Sequence, residues 1–171
     1  ASPRVFEATR HLALHTRLLT KAAIAMMVKE DSFTSDPSTW ENASLLSVTQ
    51  IAPSGLSLLH DTAESMRTLV RKSGGDNRLQ HRVLATVFYE GSTRTSCSFQ
   101  AAMSRLGGSF LHVDGQGNTS AKKKGETLSD TIRCLECYVD ATDLRHPVKG
   151  SVGEVVEKAT KPVLNAGDGV G

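Results

Sequence analysis

The chain has 171 residues, 39% of them apolar, with 20 Lys and Arg against 18 Asp and Glu for a formal charge of +2. That length suits one ordinary globular domain, and the near-neutral balance with 5% aromatic residues excludes both an acidic disordered chain and an aromatic base-stacking surface. Only Lys122-Lys123-Lys124 forms a basic run and no stretch reaches the roughly 18 apolar residues of a membrane span, so neither nucleic acid nor a membrane is an expected partner.

Along residues 5–28, Leu12, Leu14, Leu18, Leu19, Ala22, Ala23 and Met26 recur nearer a helical period than a strand alternation. The apolar run 22–28 is followed by Lys29-Glu30-Asp31 rather than a small-residue cleavage site, which argues against a secretory signal. Cys97, Cys134 and Cys137 form no even framework, pointing to a reducing compartment, so a cytoplasmic location is expected, with an organelle transit segment at residues 4–29 as the alternative. Small polar residues and Pro37 make 31–38 read as a linker. A boundary is therefore placed near residue 40, leaving 1–40 as a partly helical extension or linker and 41–171 as the folded domain.

Past that boundary, Leu45-Leu46-Ser47-Val48 reads as a short extended piece, and residues 53–72 carry a helical pattern that Gly74-Gly75 ends. Four apolar runs follow, at 83–88, 109–113, 139–144 and 162–165, separated by helical patterns at 95–106, 126–138 and 149–159. Alternation of this kind implies an α/β fold, a parallel sheet flanked by helices with right-handed crossovers. Ligands of such sheets sit beyond the carboxyl ends of the strands, which directs attention to the residues after 88, 113, 144 and 165.

The first of these places reads Phe88-Tyr89-Glu90-Gly91-Ser92-Thr93-Arg94-Thr95, a strand turning into a helix through hydroxyl residues and one guanidinium. Amides left free at a helix start attract an anion, Arg94 adds a bidentate grip on phosphate oxygens, and Ser92, Thr93 and Thr95 add neutral donors. The plainer alternative is that Ser92 or Thr93 only caps the helix and Arg94 is a solvated charge. The second place, 114–127, is glycine-bearing and basic and suits a closing loop, although a Lys triplet also makes an ordinary solvated face. Arg145-His146-Pro147 ends the third strand, as a structural pair or a functional one, with His146 expected to support Arg145 without transferring a proton. Asn165-Ala166-Gly167-Asp168-Gly169 closes the fourth with a turn open to close backbone approach. Cys134-x-x-Cys137 lies in an expected helix without a second pair, so both thiols are expected to be packing residues and no metal site is expected.

In order, Phe-Tyr-Glu-x-Ser-Thr-Arg-Thr, Lys-Gly-Glu-Thr, Arg-His-Pro and Asn-Ala-Gly-Asp-Gly resemble the carbamoyl phosphate domain of the aspartate carbamoyltransferases, from about residue 45 to 171. The resemblance implies a three-layer αβα domain and transfer of a carbamoyl group from carbamoyl phosphate to L-aspartate, a step of pyrimidine biosynthesis, without a metal or cofactor. It also implies roles. Ser92, Thr93, Arg94 and Thr95 hold the phosphate, Thr95 also reaches the carbonyl oxygen, and Arg145 polarises it. Ser120 and Lys124 reach into the site of a neighbouring subunit of a homotrimer, where Lys124 takes part in catalysis.

Three departures stand out. Gly91 replaces the usual Pro or Ala, which is expected to loosen the turn. Asp143 occupies a strand position that is normally apolar, so its carboxyl must be paired, exposed or shifted in pKa. The His-Pro-Thr-Gln stretch and the aspartate domain do not appear, so the chain is expected to be a truncated product or a fragment of a larger enzyme, and on its own to bind carbamoyl phosphate weakly at best and not to turn over. The rival readings are an ornithine carbamoyltransferase, against which Lys124 before Gly125-Glu126 speaks, and a non-catalytic anion-binding or scaffold fragment.

Overall fold

The computed structural model describes residues 29–115 and 124–169. Strands β1 (Val83–Phe88), β2 (Ser109–Asp114), β3 (Ala141–His146) and β4 (Val163–Asp168) form one sheet in the order β2-β1-β3-β4, every pair parallel. Helices α1 (Pro53–Ser73), α2 (Thr93–Arg105), α3 (Leu128–Leu135) and α4 (Ser151–Val156) accompany it.

Strand β1 is legible as a near-continuous apolar run because a central parallel strand is covered on both faces. On one face, Ala85 and Val87 of β1, Leu144 of β3 and Val163 of β4 join Ile132 of α3 with Val152 and Val155 of α4 in a single buried cluster. Each of the Val, Leu and Ile side chains contributes about 1.5–3 kcal/mol through removal from water. The intervening residues point to the other face, where Gln100 of α2 donates through Nε2 to Thr86 Oγ1 at 3.3 Å. The layers are therefore α2, sheet, and α3 with α4, as expected of an α/β domain. Edge strand β2 is less covered, leaving Phe110 and Leu111 38% and 43% exposed.

Local caps move several boundaries. The helix expected at 126–138 is confined to Leu128–Leu135, because Thr127 Oγ1 accepts from Asp130 N at 3.1 Å and so sets the start. The helix expected at 149–159 begins at Ser151, after Gly150 at φ +92°. The strand expected at 139–144 instead runs to His146, since Phe88 of β1 still pairs with Arg145. At the start of the sheet, Asp140 accepts from Val83 N at 2.8 Å and Arg82 Nη1 at 2.9 Å, and these bonds hold its carboxyl below the usual range.

The stretch 31–38 is not the free linker its composition suggests. Phe33 is 3% exposed, its N–H donates to Gln50 O at 2.9 Å, and its carbonyl accepts from Ala52 N at 2.9 Å. The backbone there approaches the first turn of α1 so closely that a Cβ on Gly55 would lie 2.1 Å from Phe33 O, which requires glycine. The extended piece at Leu45 is real: its N–H donates to Val163 O at 3.0 Å and its carbonyl accepts from Asn165 N at 2.9 Å. It stops before Val48, where a short 3-10 turn (Val48–Gln50) begins.

A buried carboxylate unites α3 with the α4–β4 turn. Glu136, 6% exposed, accepts from Thr160 N at 2.7 Å, Thr160 Oγ1 at 2.9 Å and Lys161 N at 2.8 Å. Glu136→Ala orphans these donors together, so urea titration is expected to show a loss of about 2–4 kcal/mol. An unchanged midpoint would mean that water replaces the carboxylate at no cost.

Candidate functional site

The strand order reverses direction of growth between β1 and β3, which opens a crevice at their carboxyl ends. Two chain segments meet there. Tyr89 N donates to Arg145 O at 2.8 Å, holding the loop that follows β1 against the end of β3.

The loop delivers Ser92 to the N-cap of α2, but its side chain makes no cap bond and instead donates through Oγ to Thr95 Oγ1 at 2.9 Å. The first bond of the helix start is Ser96 N to Ser92 O at 3.0 Å. Among the described residues, the amides of Thr93, Arg94 and Thr95 therefore meet no acceptor, and the capping-only reading of Ser92 and Thr93 fails. Three free N–H groups at the head of a 13-residue helix make a partial positive charge facing the crevice. Arg94 is exposed and has no ion pair among the described residues, so its guanidinium is uncommitted.

Arg145, by contrast, is held. Its Nη2 lies 3.0 Å from Glu90 Oε2 and its Nη1 donates to Ala166 O at 3.1 Å, while its Nε is buried without a partner. Ala166 is the extra residue of a register shift between β3 and β4. A Cβ on Gly167, at φ +140°, would sit 2.3 Å from Arg145 Nη1, so this glycine makes the space that the guanidinium fills. Glu90 was not among the residues singled out from the sequence; the register of Phe88 with Arg145 is what brings the following loop beside that side chain.

His146 does not support Arg145, as its position suggested. Its Nδ1 accepts from Val148 N at 3.2 Å and its ring centroid lies 5.2 Å from that of Tyr89. In the neutral ring that acceptor role leaves the hydrogen on Nε2. Asp168 accepts from Gly150 N at 3.0 Å and Val152 N at 3.4 Å, which caps α4 from the end of β4. Lys124 is exposed and makes no hydrogen bond or ion pair among the described residues, and Ser120 lies outside them.

Two further expectations are settled. Cys134 and Cys137 are exposed free thiols, not packing residues, because Ile132 takes the inward position of α3. Asp143 is 0% exposed, neither carboxylate oxygen has a hydrogen-bond partner, and burial pushes its pKa up to about 7. Two grooves among the described residues lie elsewhere: about 660 Å³ beside Gly75 and Arg105, and about 390 Å³ beside Gln50 and Thr160.

Residues 43–171 match the family model described as aspartate/ornithine carbamoyltransferase, carbamoyl-P binding domain. The chain is 45% identical over 169 residues to multifunctional protein pyr1-3 of Dictyostelium discoideum, which covers 96% of the chain and 7% of that protein. It is 44% identical over 131 residues to the aspartate carbamoyltransferase catalytic subunit of Thermoplasma acidophilum, covering 77% of the chain and 43% of the subunit. Aspartate transcarbamoylase from Trypanosoma cruzi in complex with carbamoyl phosphate superposes with a TM-score of 0.71 at 38% identity, over 75% of this chain and 41% of that one. The chain thus spans less than half the length of these relatives.

Proposed function

The chain belongs to the aspartate/ornithine carbamoyltransferase family, and on that premise we propose that it is the carbamoyl phosphate half of an aspartate carbamoyltransferase. The reaction joins the α-amino nitrogen of L-aspartate to the carbonyl carbon of carbamoyl phosphate, breaks the bond from that carbon to the phosphate oxygen, and releases a proton. The products are N-carbamoyl-L-aspartate and phosphate. Among the rivals, Lys124-Gly125-Glu126 and relatives named as aspartate carbamoyltransferases favour aspartate over ornithine as acceptor.

The observation that carries this reading is the convergence of three unfilled amides, Thr93 to Thr95, with the anchored Arg145 at one switch point. Charge grows on two oxygens during the reaction, on the carbonyl and on the departing phosphate. The amides with Arg94 and the Ser92, Thr93 and Thr95 hydroxyls bind the phosphate, and Arg145, fixed by Glu90 and Ala166, polarises the carbonyl. An oriented donor also turns the encounter with aspartate into an effectively unimolecular step. The site needs no protein nucleophile.

The finer assignments belong to the same proposal. They are a homotrimer in which Ser120 and Lys124 serve the neighbouring copy, with Lys124 binding both substrates, and a cytoplasmic location. The match to pyr1-3 reaches into the first forty residues, which supports reading them as the link to a preceding domain of a multifunctional polypeptide.

Calorimetry of this chain with carbamoyl phosphate tests the reading. Arg94→Ala removes a charge-assisted, bidentate contact and is expected to weaken binding on the order of tenfold or more. Equal heats and equal affinities for the two proteins would remove the phosphate site.

A further inference from the structure

We propose that Cys134 and Cys137 form a dithiol modification site, which takes a low-molecular-weight disulfide, closes to a Cys134–Cys137 disulfide and in closing pulls on the buried Glu136 between them. The end of α3 sorts its residues by face. Ile132, Leu135, Glu136 and Val139 are buried or pack on the core, at the spacing of one helical side, whereas Arg133, Cys134, Cys137 and Tyr138 are exposed. Both thiols are free.

The backbone brings the pair together. Past Leu135 the chain goes on turning, but with bonds to the third residue back: Cys137 N donates to Cys134 O at 3.2 Å and Tyr138 N to Leu135 O at 2.8 Å. In a turn of this 3-10 kind, side chains three apart eclipse one another, so Cys137 stands over Cys134 on the exposed side. Cys137 Sγ is engaged only by a weak bond to Arg133 O at 3.8 Å. Among the described residues, no further His, Cys, Asp or Glu completes a metal-ligating group with the pair, so its chemistry is that of two adjacent thiols.

The thiolate of one cysteine attacks a sulfur of the small disulfide, releasing one small thiol and leaving a mixed disulfide. The thiolate of the other attacks the protein sulfur of that bond and expels the second small thiol. Two protein thiols are thereby oxidised, the small disulfide is reduced to two thiols, and the two protons pass to the departing thiolates.

Closure reaches beyond the surface. Neighbouring side chains on a helix have Cβ atoms about 5–6 Å apart and a disulfide needs about 3.5–4.5 Å, so the turn must tighten as the bond forms. Glu136 lies inside that turn, and its carboxylate accepts from Thr160 N, Thr160 Oγ1 and Lys161 N. Lys161 Nζ also donates to Val139 O at 2.6 Å, just past the pair. Oxidation at the surface is thus felt at the turn before β4. The ring is short and restrains the unfolded chain little, so the strained, exposed bond is one that small thiols reduce readily. None of this rests on the proposed function.

The test treats this chain with oxidised glutathione and follows it by peptide mass spectrometry and amide NMR. Tryptic peptide 134–145 is expected to lose two hydrogen atoms and to carry no glutathione, while Cys97, on α2 without a second thiol, keeps one glutathione. Cys134→Ser is expected to trap glutathione on Cys137, and Cys137→Ser on Cys134. Oxidation is expected to move the Thr160 and Lys161 amide resonances of the wild type, excess reduced glutathione to return them, and both serine variants to leave them still. Glutathione retained on both cysteines of the peptide, or a peptide left fully reduced, overturns the proposal. So does a disulfide that leaves the Thr160 and Lys161 amides where they were.

Discussion

Asp143→Val is expected to make the domain more stable at about pH 8 by about 4 kcal/mol, an unusual direction for a substitution at a fully buried site. The cause is a proton. The unfolded chain ionises Asp143 near its ordinary 3.8, whereas the folded chain keeps the proton up to about 7. Between these values the folded state binds more protons than the unfolded one, so wild-type stability falls as pH rises; above about 7 the whole cost is present. Below 3.8 both states are neutral and the pH-linked cost is gone. Each pH unit of that interval costs about 1.4 kcal/mol. The valine variant lacks this slope and suits a central strand. Urea titrations of both proteins at about pH 4.5 and about pH 8 check it: the gap between them should widen with pH. A gap that stays constant would show that the carboxyl finds a partner or water when it ionises.

Arg145→Ala is expected to weaken carbamoyl phosphate binding on the order of 100-fold, more than any other single change at the crevice. Two losses combine. The carbonyl loses a fixed cation, and Glu90, whose carboxylate sits 3.0 Å from Arg145 Nη2, is left uncompensated near an incoming dianion. The double variant Glu90→Gln with Arg145→Ala is therefore expected to recover part of the affinity, a non-additivity that calorimetry measures directly. Arg145→Lys is expected to behave nearly as badly, because one ammonium cannot span both Glu90 and Ala166 O. Binding within about threefold of the wild type in Arg145→Ala would place the carbonyl elsewhere.

Strand β1 was legible because it is buried and so writes its boundaries as an apolar run, at Val83–Phe88 where the pattern puts it, whereas β3 and β4 run on past their apolar residues to Arg145-His146 and Gly167-Asp168. Helix α1 was legible for a different reason, since Pro53 opens it and Gly74 at φ +80° closes it. The shorter helices carried less information: α3 ends at Leu135 and α4 at Val156 because of caps and packing that periodicity alone does not reveal. The polar composition of 31–38 hid Phe33, as a single buried aromatic does not alter a local pattern.

At the site, the Ser-Thr-Arg-Thr stretch and Arg145 could be picked out because their chemistry is local in sequence. The partners that fix them are not. Glu90 meets Arg145 only through the β1–β3 register, and Ala166 only through the shift between β3 and β4. Glu136 reaches Thr160 and Lys161 across 24 and 25 residues, a link that no spacing rule contains. Asp143 could be recognised as out of place, but whether it was paired, exposed or shifted depended on what Thr86 and Leu164 offered it.

The direct measurement of phosphate capture by the start of α2 is the backbone amide spectrum of this chain during titration with carbamoyl phosphate. The resonances of Thr93, Arg94 and Thr95, which have no acceptor among the described residues, should shift downfield together along one saturating curve, and Arg94→Ala should move that curve to higher concentration. Stationary resonances at these three residues, while others respond to the same ligand, would contradict the assignment.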